Sequence, residues 1–204
     1  GKPLFIKPPL GIRPSFLNDD HISLGTTVIF KRCIDAIKSN KSFAQGAFIE
    51  YCDCFVTNLE RFRLVKSDEE YDDLVVKSIE ELLPVRNEVV RLFTTIAQYS
   101  PTHELMQLVH RFFESLIPYL YRPAHITTWS AWDFDNFRFL IYELFLYALA
   151  VLLRHDRIEQ AAYLLGQKYY CPRNADLGRE VVVSYDVLLK PIDSLVHRNQ
   201  RLNL

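Results

Sequence analysis

The chain has 204 residues, of which 49% are hydrophobic and 24% are charged, and its formal net charge is −1. This composition is sufficient for a sizeable apolar core and excludes wholesale disorder. The 24 basic and 25 acidic side chains create no global positive field, so nucleic-acid binding is not expected. Glycine is scarce, with 6 residues, which favours helices over turn-rich β architectures and glycine-lined nucleotide loops.

The N-terminal segment, residues 1–22, is predicted to be an extended proline-rich arm. Proline fixes φ and cannot donate a backbone hydrogen bond, and four of the ten prolines lie there. Residues 23–204 show helical spacing of apolar side chains, which predicts one all-α, bundle-like domain of about seven to eight helices. The chain starts at Gly1 and stops within a predicted helix, so we expect it to be a fragment of a larger protein.

The cysteines indicate a reducing environment. None of the four belongs to a C-x-x-C pair. Cys52 and Cys54 lie about 200° apart around a helix, so they cannot face one metal ion together. We therefore expect buried free thiols and a cytoplasmic location.

Several helix boundaries in the first half follow from caps and prolines. The S-x-x-E pattern at 67–70 predicts a capping box that begins a helix. Pro84 is expected to break or kink that helix, with a further helical stretch over 85–99. Ser100 is predicted to cap the next helix, with Pro101 at its first position.

The helix that follows Ser100 carries the candidate metal ligands. His103, His110 and Glu114 lie on one helical face. Imidazole and carboxylate groups on one helix bind zinc or iron when a second helix completes the site. The two histidines are two turns apart and no H-E-x-x-H pattern occurs, so a solvated polar stripe is the alternative and no cofactor is expected.

Both tryptophans lie just before an unusually apolar run. Asp133 is predicted to cap the helix that follows, with Trp129 and Trp132 where a hydrophobic staple would lie. Nearly every side chain over 137–153 is apolar, which predicts a helix surrounded by protein on all sides.

This apolar run contains two charged residues, Arg138 and Glu143, so a core helix is favoured over a membrane span. A buried carboxylate needs a partner. Three arginines on neighbouring predicted helices are candidate partners of Glu143: Arg86, Arg91 and Arg111.

The stretch 148–170 is predicted to form two helices that fold back on each other, with "RHDR" at the turn. Its pattern is similar to the helical hairpin of a tetratricopeptide unit over about 25 residues, but no recurrence of about 34 residues is present, and we assign the chain to no family. Residues 171–183 are predicted to be a loop with a short strand. A final helix from about 186 is interrupted by Pro191.

The sequence contains no P-loop, dinucleotide-binding or nucleophile-elbow motif, which argues against an enzyme without excluding one. The leading hypothesis is a non-catalytic helical module of a larger intracellular protein that binds a protein partner or self-associates. It predicts an exposed apolar or aromatic surface patch. The candidates for this patch are Trp129, Trp132, Tyr169 and Tyr170.

The alternative is a helical enzyme or small-ligand sensor with a pocket near Trp132 and Glu143. This hypothesis requires four polar side chains to converge on one cavity: Asp133, Asp135, Arg138 and Glu143. It fails if Asp133 only caps its helix and Glu143 only pairs with an arginine. A third hypothesis, nucleic-acid binding through the basic stretch 197–201, is disfavoured by the charge balance.

Overall fold

The computed structural model describes residues 27–65, 70–123 and 126–203. Within these ranges the fold is all-α and bundle-like, with eight α-helices, as the helical spacing of apolar residues predicts. The helices are α1 (Thr27–Lys38), α2 (Ala44–Leu59), α3 (Tyr71–Tyr99), α4 (His103–Leu116), α5 (Asp135–Arg154), α6 (Ile158–Gly166), α7 (Arg173–Asp176) and α8 (Asp193–Leu202). The predicted arm and most of the predicted capping box at 67–70 lie outside the described residues.

Short elements connect these helices. The 3-10 helices are Glu60–Phe62, Ile117–Leu120, Ala131–Phe134 and Tyr185–Leu188. Strands β1 (Tyr169–Tyr170) and β2 (Val182–Val183) pair in antiparallel fashion, which confirms the short strand expected in this loop. Pro191 separates the last 3-10 helix from α8, so the predicted interruption of the final helix is also confirmed.

The centre of the domain is the pair α3 and α5, which share the most extensive contact between any two elements of the described chain. Tyr71 donates a hydrogen bond to Asp133 at one end, and Arg86 pairs with Glu143 further along, so the two helices run in the same direction. Helices α1 and α8 also pack on α3, α4 packs on α2, and α6 packs on α5. Large side chains fill the space between these helices, and each one contributes roughly 1.5–3 kcal/mol by leaving water.

Of the two effects predicted for Pro84, a break or a kink, the break with a separate stretch over 85–99 does not occur. Helix α3 continues through Pro84 from Tyr71 to Tyr99. Proline removes the hydrogen bond to the carbonyl four residues earlier, which belongs to Glu80, an exposed residue. The long contact with α5 stabilises the helix on both sides of this gap, so packing overrides the local effect of proline.

The start of α4 also differs from the prediction. The capping residue is Thr102, whose hydroxyl accepts a hydrogen bond from the Leu105 amide at 3.3 Å. Ser100 is buried instead, and its amide donates to the Ile96 carbonyl at the end of α3. The capping role therefore lies two residues later than predicted.

The helical hairpin predicted over 148–170 is confirmed as the end of α5 and α6, which pack on each other, but α6 ends at Gly166 and Tyr169–Tyr170 form strand β1. Asp156 adopts a left-handed φ of 58° at the turn, and the Arg157 amide donates to the Leu152 carbonyl at 2.9 Å. The Arg157 guanidinium also donates to the Ala97 carbonyl at 3.0 Å, which fixes the turn to the end of α3.

The apolar helix α5 is not surrounded by protein on all sides, contrary to the prediction. Residues Ala131–Arg154 are long and apolar enough to cross a membrane by length and composition alone, and 50% of the most apolar window is buried inside the domain. Its buried side packs on α3 and α6, as in the core helix of a globular domain. Its opposite side faces outward.

The fold depends on a buried amide at the beginning of α5. Asn136 is fully buried, and its Nδ2 donates to the Phe62 carbonyl at 2.7 Å and to the Ser78 hydroxyl at 2.9 Å. It thereby connects the end of the α2 segment, α3 and α5. A buried acceptor that loses its donor costs the full desolvation penalty of that group.

We expect Asn136→Ala to lower the free energy of unfolding by about 1–3 kcal/mol, because the Phe62 carbonyl loses its donor inside the protein. Urea unfolding followed by circular dichroism measures this change. The matched control is Asn199→Ala at an exposed position of α8, which should unfold like wild type. Equal stability of Asn136→Ala and wild type would contradict this role.

Candidate functional site

The entrance to α5 is a capping structure. Ser130, rather than Asp133, is the N-cap of the 3-10 helix that leads into α5. Asp133 completes the capping box, since its Oδ2 accepts a hydrogen bond from the Ser130 amide at 2.8 Å. Trp129 packs against Phe134 with ring centroids 6.3 Å apart, which is the position of a hydrophobic staple. The staple is therefore confirmed for Trp129 but not for Trp132, which packs against Tyr71 and His197, and Asp133 holds the helix entrance.

Asp135 and Arg138 form a second structural unit. The Asp135 carboxylate is fully buried, and its Oδ1 accepts from Arg138 Nη1 at 2.8 Å. Its Oδ2 accepts from the Ser194 amide at 2.9 Å, in the first turn of α8. This carboxylate therefore satisfies an amide at the start of α8 that has no partner within that helix.

Glu143 pairs with Arg86, one of its three predicted partners. Asp135 and Glu143 lie about 12 Å apart along α5, given a rise of about 1.5 Å per residue. Cavities of about 790, 670 and 590 Å³ open between the described helices, and neither Trp132 nor Glu143 lines any of them. The four polar candidates therefore do not converge on one pocket, and each is used in a contact within the fold.

The four aromatic candidates do not form one exposed patch. Tyr169 is fully buried, and its hydroxyl donates to the Leu164 carbonyl at 2.8 Å. Trp132 lies between the rings of Tyr71 and His197, with centroids at 6.3 and 4.8 Å. Trp129 and Tyr170 are exposed. Burial depends on tertiary packing, which the pattern of neighbouring residues does not reveal.

The candidate metal ligands are not assembled into a site. The described part of the chain includes no group of three His, Cys, Asp or Glu side chains that could hold a metal ion. His110 instead donates to the Lys168 carbonyl at 2.9 Å, and Glu114 accepts from the Tyr170 amide at 2.8 Å. His103 packs its ring on Tyr163. The histidine and the glutamate thus attach strand β1 to α4.

The basic stretch at 197–201 is attached to the beginning of α3. Arg201 donates to both oxygens of Asp72, at 2.9 and 3.0 Å, and Arg198 donates to Asp73 at 2.9 Å. The Asp72 side chain is 1% exposed, so these bonds form mostly out of water. The Arg201 guanidinium holds the pKa of Asp72 below its usual range, and Arg198 followed by Arg201 does the same for the pKa of Asp73.

The feature that the sequence patterns did not single out is a row of apolar side chains on the outer surface of α5. We call this row the α5 stripe. Its members are Phe139, Tyr142, Leu146, Leu149 and Leu153. The exposed fractions are 37% for Tyr142, 43% for Leu146 and 54% for Leu153, while Phe139 and Leu149 are partly buried.

A second exposed row lies on α6 and consists of Ile158, Ala162 and Leu165. Spacings of three and four residues place each row on one face of its helix. This spacing is visible in the sequence, but the apolar residues on the remaining faces of α5 conceal it.

Comparison of the chain with protein-family models, curated proteins and solved structures finds no match. The function is therefore inferred from the surface and contacts of the domain itself.

The attachment of α8 to α3 should weaken in acid. A carboxylate with a lowered folded pKa stabilises the protein above its unfolded pKa of about 3.9, and this stabilisation is lost as pH falls through the lower, folded pKa. We therefore expect Arg201→Gln to destabilise the protein at pH 7 and to differ less from wild type at pH 3. Urea unfolding at several pH values measures the difference, with exposed Arg111→Gln as control. A difference independent of pH would contradict this assignment.

Proposed function

We propose that the chain is a non-catalytic helical interaction module that self-associates through the α5 stripe. The supporting observation is the contiguous apolar row on the outer surface of α5, together with the second row on α6. Single exposed apolar side chains are normal on protein surfaces, whereas larger contiguous apolar patches mark sites of contact with another protein, a membrane or a ligand.

The spacing of the α5 stripe supports packing against another helix. Its positions 139, 142, 146, 149 and 153 alternate steps of three and four residues, which is the pattern of a helix–helix seam. From Phe139 to Leu153 the stripe extends over about 21 Å at about 1.5 Å per residue. This length corresponds to two heptads, which suits one helix pair on a globular surface.

The stripe also supports a second copy of the chain as the partner. If a two-fold axis passes beside Leu146, two antiparallel α5 helices place Leu146 opposite Leu146. The same axis places Phe139 opposite Leu153 and Tyr142 beside Leu149, so every apolar position meets another. Such a self-complementary surface is what a two-fold symmetric dimer requires.

Charges near the stripe do not oppose this packing. Glu143 borders the stripe and is paired with Arg86 of the same domain. Covering the stripe therefore leaves no lone carboxylate out of water, which would be costly. The guanidinium of Arg86 also lies over the Tyr147 ring, 5.5 Å from its centroid, which holds this edge of the surface in place.

A non-catalytic role fits the use of the polar candidates in α5, each of which makes a contact within the fold. The proposed cytoplasmic location is supported by the cysteines of residues 27–203. All four are free, and Cys33, Cys52 and Cys171 are buried.

We expect wild type to be a dimer by light scattering on a size-exclusion column, and Leu146→Glu to be a monomer. A carboxylate placed at the centre of the interface lacks a partner and should weaken the dimer by roughly 100-fold or more. The matched control is Val28→Glu on α1, where the native side chain is 78% exposed, and it should remain a dimer.

The same measurement on a chain without residues 1–26 distinguishes two interfaces. If this deletion abolishes the dimer while Leu146→Glu remains a dimer, the interface lies in the N-terminal arm. That result would contradict self-association through the α5 stripe. A wild-type monomer at all concentrations would contradict self-association.

A further inference from the structure

Basic side chains gather around Tyr121 without carboxylate partners. The Arg173 guanidinium lies 4.8 Å from the centroid of the Tyr121 ring, and the Lys190 ammonium lies 5.7 Å from it. Both cations are partly buried, and in the described part of the chain neither forms an ion pair. Arg173 and Lys190 line a cavity of about 590 Å³ together with Arg179, which also forms no ion pair within the described residues. These three cations are therefore available to bind an anion.

Arg138 adds an independent indication. It lines the same cavity of about 590 Å³, and its Nη1 is occupied by Asp135 and by the Ala131 carbonyl. Its Nε is buried and has no acceptor among the described residues. A buried donor without an acceptor requires an explanation, and an anion bound beside it would supply the acceptor.

The remaining wall of the cavity is apolar and aromatic. It includes Trp129, which is 43% exposed, together with Phe134, Leu177 and Val183. A second cavity of about 790 Å³ shares Tyr121, Arg173 and Leu177 with the first. Volumes of this order are those of small-molecule sites, and an aromatic wall beside cations suits a ligand that joins an anion to a planar ring.

The net charge of the cavity lining limits how much negative charge a bound anion can carry. The lining of the cavity of about 590 Å³ includes four cations and two carboxylates. The cations are Arg138, Arg173, Arg179 and Lys190, and the carboxylates are Asp186 and Asp193. Asp135 neutralises Arg138 from outside the lining, and Asp186 accepts a hydrogen bond from the Ser184 hydroxyl. The cations therefore exceed the carboxylates only slightly, which favours one phosphate group over a polyanion such as nucleic acid.

We propose that this cavity, the Tyr121 site, binds a small phosphate monoester attached to a planar ring, the chemistry of a nucleoside monophosphate. Arg173, Arg179 and Lys190 contact the phosphate, and Trp129 contacts the ring. This site is separate from the α5 stripe and does not depend on self-association.

The test is isothermal titration calorimetry at low ionic strength with AMP, adenosine and inorganic phosphate as probes. We expect AMP to bind, phosphate to bind more weakly, and adenosine to bind least. Arg173→Ala and Lys190→Ala should each weaken AMP binding by about 10-fold or more. Trp129→Ala should weaken the binding of AMP more than the binding of phosphate.

Two further variants make the outcome decisive. Arg179 is exposed, so Arg179→Ala should fold like wild type and still weaken AMP binding several-fold. The matched control, Lys31→Ala on the exposed surface of α1, should bind AMP like wild type. Absence of AMP binding to wild type, or equal AMP binding by wild type and Arg179→Ala, would overturn the proposal.

Discussion

The parallel packing of α3 against α5 is the constraint on which the rest of the domain depends. It fixes the direction of both helices, with Tyr71 beside Asp133 and Arg86 beside Glu143. Buried Asp135 at the start of α5 then satisfies an amide at the start of α8, and Asp72 at the start of α3 receives Arg201 from the end of α8. One side of α5 is used in this way, and among the described residues its outer side is exposed.

The features that the sequence predicted correctly are those set by local spacing. The hairpin at 148–170 follows from apolar periodicity, the staple of Trp129 on Phe134 follows from the capping pattern, and Glu143 needs an arginine because its helix is apolar. The break predicted at Pro84 was wrong, because the contact with α5 outweighs the loss of one hydrogen bond. The burial of Tyr169 was missed, because it depends on α4 and α5 packing over a two-residue strand.

The two proposed sites differ in how visible they are in the sequence. The α5 stripe lies within one helix, so its steps of three and four residues can be read directly once the solvent-facing side is known. The Tyr121 site combines side chains from positions 121, 138, 173 and 190, which only the fold brings together. No spacing rule connects positions so far apart along the chain, and an unsatisfied Arg138 Nε is visible only in three dimensions.

Oxidative cross-linking of Leu146→Cys tests whether α5 packs against a second α5 around Leu146. A two-fold axis at this position brings the two Cα atoms within the roughly 7 Å that a disulfide can bridge. We expect a disulfide-linked dimer for this variant, but none for wild type, in which three of the four cysteines are buried, or for Val28→Cys. Equal cross-linking of Leu146→Cys and Val28→Cys, or none in either, would contradict this packing.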